Sequence, residues 1–362
     1  MTAPEAFTPV VEHPDEVTGA WMSTALSRAG AAVEVASLAY ERIGTGQTGA
    51  CYRFHLEHAG GAPDTVILKT AAGAPEQRAR VRRGYRAEVF FYQHLLHRAK
   101  IRTPRCWHAA IAEDATAFAL LLSDAAPAAA GAQERGCGDD EAAEALRNLA
   151  GLHAAFWNSP VLGEEASWLA MDPARADVLA GIHATATEQF LDRFSPQLTV
   201  GEAQILRRAS RLIRDWLLAG EGPRTVLHGD YRLDNLLFPP QGAGPVLAVD
   251  WQTLDIGLPG RDVAYFLATA LELEDRRRLE ARLLAAYHDQ LRRHGLEGYS
   301  FEACELDYRR GMLQAPFITM IGCFLATGER SEAADRMFLS MARRGIHAIQ
   351  DLEVLQLLEA SP

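Results

Sequence analysis

The sequence predicts an α+β fold with two lobes, a β-rich N-terminal lobe and an enlarged, mostly helical C-terminal lobe. Strand-like alternation prevails over residues 33–123, helical periodicity prevails beyond residue 139, and an uncharged Ala/Pro-rich stretch at 125–131 lies between them. With 362 residues, the chain has the length of two ordinary lobes. We therefore expect an N-terminal lobe of residues 1–124 and a C-terminal lobe of residues 125–362.

Composition argues against several classes of protein. The net charge of −11 disfavours nucleic acid as a partner, because phosphate backbones attract basic surfaces. No run approaches the ~18 consecutive apolar residues of a transmembrane helix, and the N-terminus lacks the basic and apolar regions of a signal peptide. The five cysteines have no C-x-x-C spacing, which is typical of reduced thiols. We expect a cytoplasmic enzyme without nucleic-acid or membrane partners.

The elements of the N-terminal lobe follow from their periodicity. Residues 15–29 have the pattern of a short amphipathic helix, and 33–70 predicts strand, glycine loop, strand, turn and strand. A helix is predicted over 75–98 because its apolar residues recur every three or four positions. Two further strands are predicted at 105–112 and 117–123.

The C-terminal lobe is predicted to be helical with a small β insertion. Helical periodicity defines three segments, at 139–157, 174–193 and 201–219. Apolar runs predict three short strands, at 224–228, 235–238 and 246–250. Helices resume after Arg261 and continue to the end of the chain.

A glycine-rich loop joins the first two predicted strands. It has the pattern G-x-G-x-x-G and consists of Gly44, Thr45, Gly46, Gln47, Thr48 and Gly49. In a dinucleotide-binding fold a helix would follow such a loop, but here a strand with period-two alternation follows. The loop is therefore the tip of a hairpin, as in the loops that cover nucleotide phosphates in kinases. An ordinary glycine-rich turn is the alternative interpretation.

A lysine and a glutamate in the same lobe have the positions of a kinase ion pair. Lys69 ends the apolar run that starts at Val66 within the predicted strand at 65–70. Glu88 lies on the apolar stripe of the 75–98 helix. A carboxylate on a packed face needs a partner, and such a pair places the lysine on the nucleotide phosphates in kinases. The alternatives are a solvated lysine and a glutamate that reaches the flank of its helix.

The strongest motif lies in the β insertion. An apolar strand leads into His-Gly-Asp at 228–230, Asn235 follows five residues after Asp230, and a second strand leads to Asp250. Phosphoryl transfer needs a carboxylate that accepts the proton of the acceptor hydroxyl, and oxygen ligands for Mg²⁺. Asp230 suits the first role, while Asn235 and Asp250 suit the second. A single aspartate after a strand is usually a turn or cap residue, but this set agrees in type, spacing and order.

Four further polar residues could have either a structural or a functional role. We expect His228 to brace the loop, His153 to be a hydrogen-bonded core histidine, and Asp262 to cap a helix or brace the catalytic loop. Proton transfer by His228 and metal binding by Asp262 are the functional alternatives. Arg232 either contacts phosphate or lies on the surface.

The chain resembles the aminoglycoside phosphotransferase and choline kinase-like superfamily, and within it the ecdysteroid kinase-like branch and its bacterial relatives. The resemblance extends over nearly the whole chain. The matching residues are Ile43–Gly49, Lys69, Glu88, His228–Asp230, Asn235, Val249–Gln252 and Gly257–Asp262. This set is specific to the superfamily but not to one substrate.

The resemblance implies a protein-kinase-like bilobal fold that binds ATP and Mg²⁺ and phosphorylates a hydroxylated small molecule. Adenine would contact backbone groups near Leu122, Ser123 and Asp124, and Asp230 would be the catalytic base. Acceptors of relatives include antibiotics, choline-like alcohols, steroid alcohols and hydroxyacyl thioesters. One stripe of the 300–340 segment forms either core or an apolar acceptor pocket; it contains Tyr308, Met312, Phe317, Met320 and Phe324.

Two other functions compete with a small-molecule kinase. A protein kinase needs a long peptide-holding segment after the metal-binding aspartate, but Asp262 follows Asp250 by only twelve residues. A pseudokinase would bind nucleotide without turnover, and the loss of the base or a metal ligand would support it. The sequence retains Lys69, Asp230 and Asn235 together with Asp250, which favours an active enzyme.

Overall fold

A computed structural model of the chain describes residues 9–44, 48–240, 244–326 and 331–360. Its internal contacts form two compact units. Unit 1 comprises Met1–His97, Thr103–Ala126 and Asp250–Thr253. Unit 2 comprises Arg98–Arg102, Pro127–Val249 and Leu254–Pro362. Compared with the predicted boundary between residues 124 and 125, residues 98–102 join the second unit, and residues 125–126 and 250–253 join the first.

In the part of unit 1 that the structure describes, there are two α-helices and an antiparallel five-stranded sheet. Its elements are α1 (Gly19–Arg28), β1 (Val33–Ile43), β2 (Gly49–Gly60), β3 (Thr65–Ala71), α2 (Pro75–Phe90), β4 (Cys106–Ile111) and β5 (Phe118–Ser123). The strand order is β1-β2-β3-β5-β4. Thr18 is the N-cap of helix α1, and its hydroxyl accepts the Trp21 N–H (3.1 Å). Its apolar face, with Met22 and Leu26, packs in one core cluster with side chains of β2 and β3.

Helix α2 differs from the predicted helix over 75–98. It ends at Phe90, and a π-helical turn follows at Phe91–Leu95. In this turn, the Phe91 ring stacks on Trp251 with centroids 3.5 Å apart and an interplanar angle of 8°. Such a turn is a single turn long, which is too short for its own period to be recognised in the sequence.

Unit 2 contains nine helices and two small sheets within the described residues. Its helices are α3 (Asp139–Phe156), α4 (Pro173–Phe194), α5 (Val200–Leu218), α6 (Gly260–Ala270), α7 (Leu273–Arg293), α8 (Phe301–Arg310), α9 (Gln314–Leu325), α10 (Glu332–Asp351) and α11 (Val354–Glu359). Its strands are β6 (Ala129–Ala130), β7 (Thr225–Leu227), β8 (Leu236–Phe238), β9 (Leu247–Ala248) and β10 (Asp255–Gly257). They form a β10-β7 pair and a β6-β8-β9 sheet.

Several helices of unit 2 begin at a polar capping residue. The Asp172 carboxylate accepts the Arg175 N–H at the start of α4 (2.9 Å). Thr199 and Glu202 form a reciprocal capping box at the start of α5. These caps satisfy backbone N–H groups that have no partner within the helix, so local sequence defines where each helix starts.

Helix α6 occupies the centre of unit 2, and all of its residues are buried. Close approach to α8 and to the residues after it requires glycine at two positions. A Cβ on Gly260 would collide with the backbone of Asp307, and a Cβ on Gly311 would collide with the backbone of Gly260 and Arg261. This contact fixes the start of α6, which carries residues of the candidate site.

Among the described residues, no helix has both the length and the apolar character needed to cross a bilayer.

We predict that Gly311→Ala lowers the free energy of unfolding by about 1–3 kcal/mol or more, because backbone atoms cannot move aside as a side chain can. The measurement is urea unfolding followed by circular dichroism. Gly181→Ala is the control, since a Cβ at this position in α4 meets nothing within 4 Å. It should raise stability by about 0.5–1 kcal/mol. Equal stability of the two variants would contradict the packing argument.

Candidate functional site

The candidate residues lie in two groups, one in each unit, and Lys69 is central to the group in unit 1. Lys69 lies on β3 and pairs in register with Cys51 of β2 and Leu120 of β5. Its Nζ donates to Glu88 Oε1 (2.8 Å) and to Asp250 Oδ1 (3.1 Å). The predicted Lys69–Glu88 pair is therefore present, and Asp250 joins it.

Electrostatics keep this lysine charged. Burial alone would lower the pKa of Lys69, but the carboxylates of Asp250 and Glu88 outweigh burial and raise it. Glu88 is buried on α2, and its two oxygens receive hydrogen bonds from Lys69 and from Gln252 Nε2 (3.1 Å). The ammonium group is thus held between two carboxylates, in a position suited to an anionic phosphate.

Residues 250–253 are anchored by the two side chains after Asp250. Trp251 stacks on Phe91, and the Gln252 amide links Glu88 to the Thr48 hydroxyl, which donates to Gln252 Oε1 (2.9 Å). Asp250 itself has a left-handed backbone with φ +66°, which is costly for a residue with a side chain. The contacts of its neighbours hold this conformation and leave the Asp250 side chain 43% exposed.

The glycine loop is described only at its two ends, because Thr45, Gly46 and Gln47 lie outside the described residues. Gly44 has φ +67°, a left-handed conformation that glycine adopts without cost. A Cβ on Gly49 would come within 2.9 Å of Lys69 Cε. Glycine at this position therefore lets the backbone pass directly over the lysine.

The predicted adenine-contacting segment lies at the end of β5. Here the Ser123 N–H donates to the Arg105 carbonyl (2.8 Å), and the Asp124 carboxylate accepts from Arg53 Nε (2.7 Å). Leu122 is buried in the sheet. The Ser123 amide thus already has a partner within the unit. Leu122 is paired with Ile67 of β3 and Cys106 of β4, so contact of Leu122, Ser123 and Asp124 with a base stays a prediction.

In unit 2, a buried carboxylate braces the His-Gly-Asp turn. Asp262 accepts the N–H groups of His228 (2.7 Å) and Gly229 (2.9 Å), and His153 Nε2 lies 3.3 Å from it. Burial would raise the pKa of Asp262, but its hydrogen bonds and the nearby histidines lower it. The bracing role predicted for Asp262 is confirmed, as is the hydrogen-bonded core position of His153, whose Nδ1 contacts Tyr287 Oη (2.7 Å).

His228 has the bracing role that the sequence predicted. It is fully buried, and its Nε2 donates to the Val249 carbonyl (3.0 Å). Its Nδ1 accepts the Asp230 N–H (3.4 Å), which fits a proton on Nε2. Gly229 lies between these residues with φ +82°, so the turn needs glycine.

The Asp230 carboxylate is held on both oxygens. Tyr265 Oη donates to Oδ1 (2.8 Å), and Asn235 Nδ2 donates to Oδ2 (3.0 Å). Burial and the charge of Asp230 raise the pKa of Tyr265 far above its ordinary value, so the phenol remains a donor. The Asp230 side chain is 20% exposed, so the oriented carboxylate remains accessible. This arrangement suits a base that accepts the proton of an alcohol.

Asn235 is oriented by the same aspartate. Its Nδ2 also donates to the Asp230 carbonyl (2.9 Å), so the amide oxygen points away from Asp230. The Val249 N–H donates to the backbone carbonyl of Asn235 (3.0 Å), and Asp250 is the residue after Val249 in the chain. Among the described residues, no three His, Cys, Asp or Glu side chains form a metal-binding cluster.

Sequence reasoning assigned no role to three residues that position the site, although Gln252 belongs to a motif that it quoted. Tyr265 orients Asp230, Gln252 connects Glu88 with Thr48, and Gln314 Nε2 donates to the Gly229 carbonyl (2.7 Å). The sequence contained one signal for Tyr265, because it lies three residues after Asp262 and therefore on the same face of α6. Gln314 is far away in sequence and had no such signal.

The apolar stripe proposed for an acceptor pocket is mostly core. Tyr308, Met312, Phe317 and Met320 are buried, and only Phe324 is exposed, at 36%. The stripe therefore carries no information about the acceptor except at Phe324.

Comparisons with known proteins agree with this geometry. Residues 39–299 match the phosphotransferase enzyme family (APH). The choline kinase of Cryptosporidium parvum is similar in structure, with a TM-score of 0.56, 11% identity, and coverage of 89% of this chain and 93% of that chain. The GDP complex of aminoglycoside 2′-phosphotransferase-IIIa has a TM-score of 0.51, 12% identity and coverage of 86% and 93%.

A local similarity links the chain to a curated protein of different length. Acyl-CoA dehydrogenase family member 10 of Mus musculus is 37% identical over 75 residues, which are 20% of this chain. The chain spans about 7% of the length of that relative.

These matches confirm two predictions from the sequence. The family match confirms the resemblance at the level of the superfamily, and the structural similarity confirms the kinase-like α+β fold. The closer resemblance to the ecdysteroid kinase-like branch stays a prediction.

The buried carboxylate generates a prediction about acid stability. The pKa of Asp262 lies below the unfolded value of about 3.9. Its contribution to stability is therefore present above that value and is lost as the pH falls through the folded pKa. We predict that the free energy of unfolding of Asp262→Asn at pH 7 is lower than that of the wild type by about 1–3 kcal/mol for each backbone N–H that loses its acceptor. Below pH 4, the variant should lose less additional stability than the wild type.

The measurement is urea unfolding of both proteins between pH 2 and pH 7. Asp177→Asn, at an exposed ion pair with Arg214, is the control and should follow the wild type. An unchanged stability of Asp262→Asn at pH 7 would contradict the bracing role.

Proposed function

Because the chain belongs to the phosphotransferase enzyme family, we propose that it transfers the γ-phosphoryl group of Mg·ATP to a hydroxyl group of a small molecule. The family makes it a small-molecule phosphotransferase; the proposal concerns ATP, Mg²⁺ and the roles of individual residues. The observation that carries it is the Asp230 carboxylate, which Tyr265 and Asn235 orient while it remains accessible.

Asp230 is the proposed base of the transfer. The acceptor oxygen attacks the γ-phosphorus and forms the new O–P bond. The bond between the γ-phosphorus and the β,γ-bridging oxygen breaks, and ADP leaves with its electron pair. The hydroxyl proton passes to the Asp230 carboxylate. The hydrogen bonds from Tyr265 and Asn235 hold this carboxylate in one orientation, which supports proton transfer because base and hydroxyl must be aligned.

Lys69 is the proposed nucleotide-binding cation. Its ammonium group remains charged between Glu88 and Asp250, and the absence of a Cβ at Gly49 leaves room for the Lys69 side chain. We propose that the loop Gly44–Gly49 and Lys69 bind the phosphates, and that backbone groups near Leu122, Ser123 and Asp124 bind the base.

Asn235 and Asp250 fit a magnesium ion by the chemistry of their donors. Both offer oxygen ligands, Asn235 by its amide and Asp250 by its partly exposed carboxylate. Mg²⁺ is commonly held by one or two protein carboxylates together with substrate phosphates, so a small protein set is sufficient. When bound, the ion would neutralise charge on the β- and γ-phosphates.

The acceptor is proposed as a class, namely a hydroxylated antibiotic, another natural product, a steroid-like alcohol or a hydroxyacyl compound. The similar structures are named for choline and for aminoglycosides, and the curated relative is named for acyl-CoA dehydrogenases. None of the five cysteines forms a disulfide, which supports the cytoplasm as the location.

We predict that Asp230→Asn loses about 10²- to 10⁴-fold in kcat, because it removes the base but not the nucleotide-binding groups. The measurement is Mg²⁺-dependent release of ADP with a panel of aminoglycosides, macrolides, nucleoside antibiotics, choline, sterols and hydroxyacyl thioesters. A parallel series uses GTP as donor, and Asp177→Asn is the matched control.

Each outcome of the panel has a distinct meaning. Stimulation by one acceptor class, lost in Asp230→Asn, supports the kinase and identifies its substrate class. Thermal stabilisation by ATP without stimulation by any acceptor favours a pseudokinase. A wild type that binds neither ATP nor GTP contradicts the proposed function, and a near-normal rate of Asp230→Asn contradicts the role of the base.

We predict that Asp250→Asn weakens binding of ADP in the presence of Mg²⁺ by about 10-fold or more, because it removes a carboxylate ligand. Binding of ADP in excess EDTA should change much less. Isothermal titration calorimetry measures both affinities. The same loss with and without Mg²⁺ would show that Asp250 acts through Lys69 rather than through the metal.

A further inference from the structure

A guanidinium group lies directly beside the proposed base. Arg232 Nε is 3.3 Å from Asp230 Oδ1, and its NH1 donates to Asp234 Oδ2 (2.7 Å). On the same side chain, NH1 contacts the Met337 sulfur (3.7 Å). The Arg232 side chain is 22% exposed, so it is neither a core residue nor a freely solvated one.

The contact with Asp230 is not needed to orient the carboxylate. Each oxygen of Asp230 already receives a short hydrogen bond, one from Tyr265 (2.8 Å) and one from Asn235 (3.0 Å). The shortest hydrogen bond of Arg232 goes to Asp234 (2.7 Å), which fixes the guanidinium from the other side. Asp234 therefore fixes the arginine beside the base, in addition to the longer hydrogen bond from Arg232 Nε to Asp230 Oδ2 (3.4 Å).

Electrostatics explain why a cation is useful at this position. Asp230 and Asp234 are two carboxylates within four residues, and the phosphoryl group must reach the hydroxyl that Asp230 deprotonates. An anionic phosphoryl group beside two carboxylates would be repelled unless a cation offsets them. A planar guanidinium offers several N–H donors and suits phosphoryl oxygens, on which charge is spread during transfer.

We propose that Arg232 is a further catalytic residue that contacts the transferring phosphoryl group and stabilises its negative charge. The inference rests on the proposed function, because it requires phosphoryl transfer to the hydroxyl held by Asp230. It adds no bond-making step: the proton still passes to Asp230 and ADP still leaves with the bridging electron pair. Asp234 is the residue that keeps the guanidinium in place.

The test compares binding of Mg·ADP with and without aluminium fluoride, which mimics a phosphoryl group in transfer and needs no knowledge of the acceptor. Isothermal titration calorimetry is carried out on the full chain and on Arg232→Met, Arg232→Lys and Arg310→Met. Arg310 is the matched control, because it is a similarly covered arginine of unit 2, 24% exposed and paired with Glu221 (2.6 Å).

We expect aluminium fluoride to tighten Mg·ADP binding to the wild type by about 10²-fold or more. Arg232→Met should lose most of this tightening while it retains the affinity for Mg·ADP alone. Arg232→Lys should be intermediate, because it keeps the charge but not the planar set of donors. Arg310→Met should behave as the wild type.

Failure of the inference is distinguishable from failure of the proposed function. The inference is overturned if aluminium fluoride tightens Mg·ADP binding to Arg232→Met as much as to the wild type. It is also overturned if the wild type binds Mg·ADP but aluminium fluoride does not tighten this binding. It is also overturned if Arg232→Met loses affinity equally for both species, since that pattern reflects a structural role. A wild type that binds no Mg·ADP at all contradicts the proposed function itself.

Discussion

The buried carboxylate of Asp262 is the interaction on which the site of unit 2 depends. Its two oxygens take the backbone N–H groups of His228 and Gly229, so the turn before Asp230 has one conformation. A charge at such depth is tolerated because the carboxylate accepts two backbone N–H groups and lies 3.3 Å from His153 Nε2. Tyr265 lies one turn further along α6 and holds Asp230 itself. Helix α6 therefore fixes the backbone of the His-Gly-Asp turn through Asp262 and orients the Asp230 side chain through Tyr265.

Unit 1 uses a different solution to the same problem of buried charge. Lys69 and Glu88 are both removed from solvent, and each compensates the desolvation of the other. Gln252 completes the hydrogen bonding of Glu88 and brings Thr48 into the same network. The left-handed backbone at Asp250 is held by the stacked Trp251 and by Gln252, so local strain is offset by packing on α2.

Local pattern predicted most of the elements and identified the candidate site residues. Lys69, Asp230 and Asp250 were singled out because each is a polar residue at the end of an apolar run, and the helices because their caps and periodicity are local. The predicted end of α2 was wrong by several residues: a π-helical turn follows at 91–95, and its Phe91 ring stacks on Trp251, which is far away in sequence. The apolar stripe with Tyr308 and Met320 could not be assigned to core or pocket, because period alone does not distinguish these two environments.

By itself, the sequence determined the fold class, the family and the residue types that phosphoryl transfer requires, because strand and helix periods and motif spacings are properties of neighbouring residues. The tertiary structure alone decided which side chains support them. Tyr265, Gln252 and Gln314 reach their partners across large sequence distances. The same is true of the guanidinium of Arg232: its place in the motif was visible, but its position between Asp230 and Asp234 depends on three-dimensional contacts. Hydrogen bonds act over about 3 Å of space, and sequence order does not record which distant residues come so close.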